Sequence, residues 1–272
     1  MTAALRTEYR KLVTTRLWWV LLAAMAAYMA FLGAVMALTF TIDVAQGGLA
    51  GSTDPSAPAL DPVEVARTVY TLAPALGYVF PVVIGALSVT AEYRHKTVTP
   101  TFLAEPRRGV VLVAKLLASL PVGLAFGLVG TLATVAGGAP VLALRGHGAF
   151  LADPAVLRAI GLSVLALTVW CMVGVGFGTV LTNQVAAIVV LLGFTQFVEP
   201  ILRFGLGSFD ATSGLARWLP GAAGESVTGS SLYSTVGVAD LLPWWLGLVV
   251  LVAYGLGLAA IGRFTTLRRD VT

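Results

Sequence analysis

Few residues of this sequence could carry reaction chemistry. Its histidines are His95 and His147, and its one cysteine is Cys171. Neither an HExxH pair nor an acidic cluster at metal-ligand spacing accompanies them, so no metal site is expected. A lone cysteine cannot close an intramolecular disulfide, and Cys171 falls in an apolar run where a small buried residue is expected. A serine nucleophile inside a bilayer would need a base beside it, yet both histidines lie outside the apolar blocks. Neither GxxxxGKS nor GxxxxGKT occurs, so the chain lacks the backbone cradle and lysine that hold a nucleotide triphosphate. No catalytic residue and no cofactor on this chain is expected.

What remains is charge at helical spacing. Glu199 stands four residues before Arg203, so the two can pair near the outer interface if a helix continues past Pro200. Such a pair is either a gate or substrate contact, or a satisfied interfacial ion pair. Glu8 and Lys11, three apart, can pair along a helix surface for about 0.2–0.5 kcal/mol. The most polar internal stretch, 92–109, reads EYRHKTVTPTFLAEPRRG, and Pro100 and Pro106 limit it to short helical segments. It is the best candidate for a contact site, against the plainer role of a solvated loop carrying topology charges.

The elements that position these residues follow from composition. The 272 residues are 58% hydrophobic and 11% charged, with mean hydropathy +0.91, far from the usage of soluble domains. A single soluble domain is excluded, because the apolar residues come in long uncharged blocks of the kind a bilayer demands. The net charge of +4 is too mild and dispersed to point to nucleic acid.

Six transmembrane helices are expected, at about 17–42, 68–91, 110–136, 159–182, 185–202 and 241–262. The block 159–198 is too long for one span, and the polar pair Asn183 and Gln184 predicts a tight turn within it. The first block is too long for a signal peptide. With both termini inside, twelve of the 17 Lys and Arg fall on the cytoplasmic side, which fixes the orientation by the positive-inside rule. Trp18 and Trp19 at the inner end, and Trp244 and Trp245 at the outer end, suit interfacial anchors.

Before the first span, Leu5, Tyr9, Leu12 and Val13 share one helical face while Arg6, Arg10 and Lys11 occupy others, predicting an amphipathic helix on the inner leaflet over 1–16. Outside, the run STDPSAPALDP predicts a flexible loop within 43–67. Gly123 with Gly127, and Gly174, Gly176 and Gly178, are spaced for close helix approach.

The opening ALRTEYRKLVTTRLWWVLL, the segment VTAEYRHKTVTPTFLAEPRRGVVLVAKLLAS, the later RWLPGAAGESVTG and the terminal FTTLRRDVT together resemble, in order and spacing, the membrane subunit of type-2 ATP-binding cassette (ABC) exporters, in particular an actinobacterial-like group. The resemblance covers nearly the whole chain as one permease domain. It implies a homodimer, or a pair with a paralogue, joined to two cytoplasmic ATPase subunits that carry ATP and Mg. It further implies a coupling helix within 92–109, with Glu92, Tyr93, Arg94, His95, Thr97, Arg107 and Arg108 facing the ATPase. Arg6, Glu8, Arg10 and Lys11 would lie on the interfacial helix. A re-entrant region would occupy 199–240, and a translocation path would be lined chiefly by the first, second and fifth spans.

Substrate contacts are not encoded in a readable way: drug, antibiotic, lipid and peptide all fit an apolar path. The expected place is the plasma membrane of a bacterium, where efflux would serve resistance. The competing expectations are a non-transporting immunity or scaffold protein and a nucleotide-independent channel.

Overall fold

Each long apolar block folds as helix, because backbone away from water must satisfy its own N–H and C=O groups. The computed structural model describes residues 2–46, 61–231 and 240–266. There are no strands among them. Six helical spans are long and apolar enough to cross a membrane: Arg16–Ile42, Pro62–Arg94, Arg108–Leu144, Pro154–Val180, Gln184–Gly207 and Trp244–Phe264. The protein is an all-α, multi-pass membrane protein with both ends of the six-span series on one side. Most of the STDPSAPALDP loop, residues 232–239 of the expected re-entrant region, and Arg268 and Arg269 lie outside the described residues.

In chain order the helices are α1 (Thr2–Thr14), α2 (Arg16–Gln46), α3 (Pro62–Tyr70), α4 (Val79–Arg94), α5 (Val98–Ala104), α6 (Arg108–Leu144), α7 (Pro154–Val180), α8 (Gln184–Gly193), α9 (Glu199–Gly207), α10 (Asp210–Ala216), α11 (Pro220–Thr228) and α12 (Trp244–Phe264). The second span is α3 and α4 joined by a π-helical turn at Ala73–Gly77, and the fifth is α8 and α9 joined by another at Phe194–Val198.

Local chemistry sets the ends. Asp61 accepts a 3.0 Å hydrogen bond from Val63 N ahead of Pro62, which starts α3 well before the expected 68. Asp153 accepts from Ala155 N at 2.8 Å and starts α7 at Pro154 rather than 159. Asn183 accepts from Ala186 N at 3.0 Å, so the predicted break falls where the polar pair placed it. The third span is longer than the expected 110–136: α6 has 37 residues and contains Pro121 and Pro140. At a rise of about 1.5 Å per residue it exceeds the apolar core of a bilayer and projects beyond it.

The second, third and fourth spans form the interior, and the first, fifth and sixth turn large apolar surfaces outward. Phe31, Phe197 and Ile201 are among the exposed side chains, as lipid contact requires. α7 is central, packed against α4, α6 and α12. Its approach to α4 depends on glycine: a Cβ on Gly174 or Gly178 would collide with the backbone of Val82 or Ala86. Gly123 and Gly127 of α6 press in the same way onto α7 at Thr168 and Val164, so the small-residue spacing does mark close packing. Met25, Met29, Tyr78, Phe126 and Trp170 fill the space between these spans.

Candidate functional site

Where α1, α4, α5 and α6 meet, two lysines and two glutamates come together, three of them buried and Lys11 partly exposed. Glu8 is 5% exposed, Lys115 5% and Glu92 8%. Lys11 Nζ donates to Glu8 Oε1 at 2.7 Å, Glu92 Oε1 at 2.7 Å and Thr101 Oγ1 at 3.1 Å. Lys115 Nζ donates to Glu8 Oε2 at 2.5 Å and to the Ser88 carbonyl at 3.0 Å, and lies 2.9 Å from Glu92 Oε1. Two positive and two negative charges balance, as a buried ionic cluster must to avoid an uncompensated charge. Burial opposes the charge on Lys11, but its hydrogen bonds to Glu8 and Glu92 prevail and hold its ammonium above the ordinary lysine value. The cluster ties α1, α4, α5 and α6 into one unit.

This changes the roles expected of three residues. Glu8 and Lys11 do pair, but Glu8 faces inward to α6 instead of lying along a solvated surface, because Lys115 waits there. Glu92 was expected to face a partner; its carboxylate is instead buried against Lys11 and Lys115. On α1, Leu5, Leu12 and Val13 pack against the core while Tyr9 is exposed, so the packed face is narrower than the apolar pattern predicts. Arg6 and Arg10 are exposed.

The loop between the second and third spans folds as α5 and projects from the cluster. Arg94, His95, Thr97 and Arg107 are exposed; Tyr93 and Arg108 are half-buried. Arg94 Nη1 donates to Gln184 Oε1 at 3.3 Å, joining the loop to the start of the fifth span. Arg107 grips Glu105 through Nε at 2.9 Å and Nη2 at 3.2 Å, which holds the Glu105 carboxyl below the usual range. The Arg108 guanidinium lies 5.1 Å from the Phe102 ring centroid. Val98 and Phe102 turn α5 inward, whereas Leu103 is 78% exposed at its tip. Leu103 was not foreseen; its signal was an apolar residue one step off the Val98 to Phe102 face.

A second buried cluster is formed by α9 and α11. Arg203 donates to Glu199 Oε1 through Nε at 3.2 Å and Nη2 at 2.8 Å, and to Glu225 Oε1 through Nη1 at 2.7 Å. Ala222 N donates to Glu199 Oε1 at 3.1 Å, and Ser231 Oγ to Glu225 Oε2. Glu199 and Arg203 do pair, with the helix running through Pro200, yet they are 1% and 4% exposed, buried within the protein. The cause is α11, whose residues from Gly221 to Thr228 are all buried. A Cβ on Gly221 would collide with Arg203 and Glu199, and one on Gly224 with the Trp170 indole, past the middle of α7. Glu225 was not foreseen; it becomes visible only once α11 folds back under α9.

Among the described residues, no group of histidine, cysteine, aspartate and glutamate is arranged to hold a metal ion. Taken together, fold and clusters define a multi-pass helical membrane protein with one ionic cluster joining α1, α4, α5 and α6 and another joining α9 and α11. The chain matches no protein-family model and no curated protein.

Proposed function

We propose that this chain is the membrane permease subunit of an ATP-driven exporter of the type-2 ABC class. It lies in the plasma membrane of a bacterium, pairs with a second permease, and moves a hydrophobic or amphipathic molecule outward while a separate ATPase hydrolyses ATP. The observation that carries this is the coupling of an exposed cytoplasmic helix to two spans: α5 presents Leu103 and the neighbouring Arg94, His95 and Thr97 outward, while Thr101 on the same helix is tied by Lys11 to α1, α4 and α6. A push on α5 then moves the inner ends of the second and third spans as one body, which is what converting nucleotide-driven closure into altered access requires.

The test is gentle extraction from the native membrane and identification of any ATPase that accompanies the chain. An ATPase should co-purify with the wild type and be lost from Leu103→Asp, a change at an exposed side chain that leaves the buried cluster untouched. Absence of an ATPase from both would overturn the proposal in favour of an immunity protein, scaffold or channel.

A further inference from the structure

One side of α1 belongs to the protein interior and the other does not. Glu8 and Leu12 are buried, whereas Arg6 and Arg10, each two residues earlier and so about 200° round the helix, are exposed on the opposite side. Tyr9 is exposed beside them. Trp18 Nε1 donates to the Val13 carbonyl at 2.7 Å and fixes the corner between α1 and α2, which opens on the exposed Arg16. The guanidinium groups of Arg6, Arg10 and Arg16 have neither an ion pair nor a hydrogen bond among the described residues.

No acid neutralises this face. Glu8 is the one acid between Thr2 and Ile42, and it is buried against Lys11 and Lys115. Glu92 is held in the same cluster, and Glu105 by Arg107. Three unpaired arginines therefore call for an anion from outside the chain.

The first span indicates which anion. Arg16, Val20, Ala23, Ala27 and Phe31 follow one another at steps of four, three, four and four, so they share one face of α2, and all five are exposed. The small side chains of Ala23 and Ala27 leave a shallow apolar strip between Val20 and Phe31. From Arg16 to Phe31 the helix rises about 22 Å, enough to pass through one leaflet of a roughly 30 Å core. Trp19, 52% exposed, stands beside the head of the strip, and indole rings favour the level of lipid head groups. A cationic head on a long apolar strip matches an amphipathic anion. An acidic protein segment or a nucleic acid would meet the arginines and leave the strip uncovered. Guanidinium groups hold phosphate through paired hydrogen bonds, and a head group of net negative charge is favoured over a zwitterionic one that brings its own cation.

We infer that this corner binds an anionic phospholipid, with its head group on the face formed by Arg6, Arg10 and Arg16 and an acyl chain laid along the strip from Val20 to Phe31. The inference goes beyond the export function and holds with or without an ATPase.

The experiment is native mass spectrometry of the full chain released from detergent, titrated with phosphatidylglycerol or with phosphatidylcholine of the same acyl chains, so that single bound lipids are resolved. An arginine near a head group changes the affinity for anionic lipid about fivefold, so the first phosphatidylglycerol should bind at least about tenfold more tightly than the first phosphatidylcholine. The combined variant Arg6→Gln, Arg10→Gln and Arg16→Gln should bring the two lipids to parity. Arg145→Gln, at an exposed arginine beyond the far end of the third span, should leave the preference unchanged. Glycerol 3-phosphate, which offers the phosphate without the chains, should not displace the lipid. Size-exclusion profiles check folding, and if the combined variant does not fold, Arg10→Gln alone decides, with an expected loss of about fivefold. Equal affinity for the two lipids in the wild type, an unchanged preference in the folded variant, displacement by glycerol 3-phosphate, or loss of a protein partner instead of the lipid from that variant would each overturn the proposal.

Discussion

Lys115 of α6 donates a 2.5 Å hydrogen bond to Glu8 of α1, across 107 positions of sequence, and both side chains are buried. Removing one partner leaves a charge without compensation, whereas removing both does not. Lys115→Met should therefore destabilise the protein by on the order of 3 kcal/mol, and adding Glu8→Gln should recover a large part of that loss. Reversible unfolding in mixed micelles measures the cycle, and strictly additive losses would show that the two residues do not interact.

Thr101 is the one α5 residue whose side chain receives a hydrogen bond from the cluster, from Lys11. Thr101→Val keeps the shape and removes the acceptor. The outer surface of α5 is unchanged, so the ATPase should still bind, but stimulation of its hydrolysis by transported substrate should fall. Unchanged stimulation would remove the cluster from the coupling path.

The Lys11 ammonium is held above its ordinary value by Glu8 and Glu92. A raised folded-state value contributes stability that is fully present below the unfolded lysine value and is lost as pH rises through the folded one. The difference in melting temperature between the wild type and Lys11→Met should be constant from pH 7 to about 9 and shrink as pH rises past about 10.4, where half of the unfolded lysine has lost its proton. A gap that widens there would contradict the sign.

Gly174 and Gly161 lie on the same helix but meet different surroundings: a Cβ at Gly174 collides with the Val82 carbonyl, and one at Gly161 meets nothing. Gly174→Ala should cost about 1–3 kcal/mol through forced separation of α4 and α7. Gly161→Ala should be neutral or stabilising by up to about 1 kcal/mol, because it lowers the backbone entropy lost on folding. The two unfolding midpoints, compared directly, check this.

All six spans were legible, because uncharged length is a strong signal; their ends were less so. The starts at Pro62 and Pro154 came from Asp61 and Asp153 capping polar-flanked first turns that the apolar pattern omits. The i,i+4 spacing of Glu199 and Arg203 and the i,i+3 spacing of Glu8 and Lys11 predicted real pairs. Their burial was not legible, since it depends on Lys115, Glu92 and Glu225, which reach them only through tertiary contact. Neither π-helical turn was legible from spacing: Ala73–Gly77 holds Pro74 and Phe194–Val198 holds Thr195 and Gln196, but neither composition marks where a residue is added to a helical turn.

The central claim is that α5 is the surface an ATPase holds. A photo-crosslinking amino acid at position 103, where the native leucine is 78% exposed, can be compared with one at position 151, an exposed outer residue. In native membranes, illumination should join position 103 to an ATPase subunit and leave position 151 unjoined to it. Adducts at 103 with lipid alone, or the same ATPase adduct from both positions, would contradict the account.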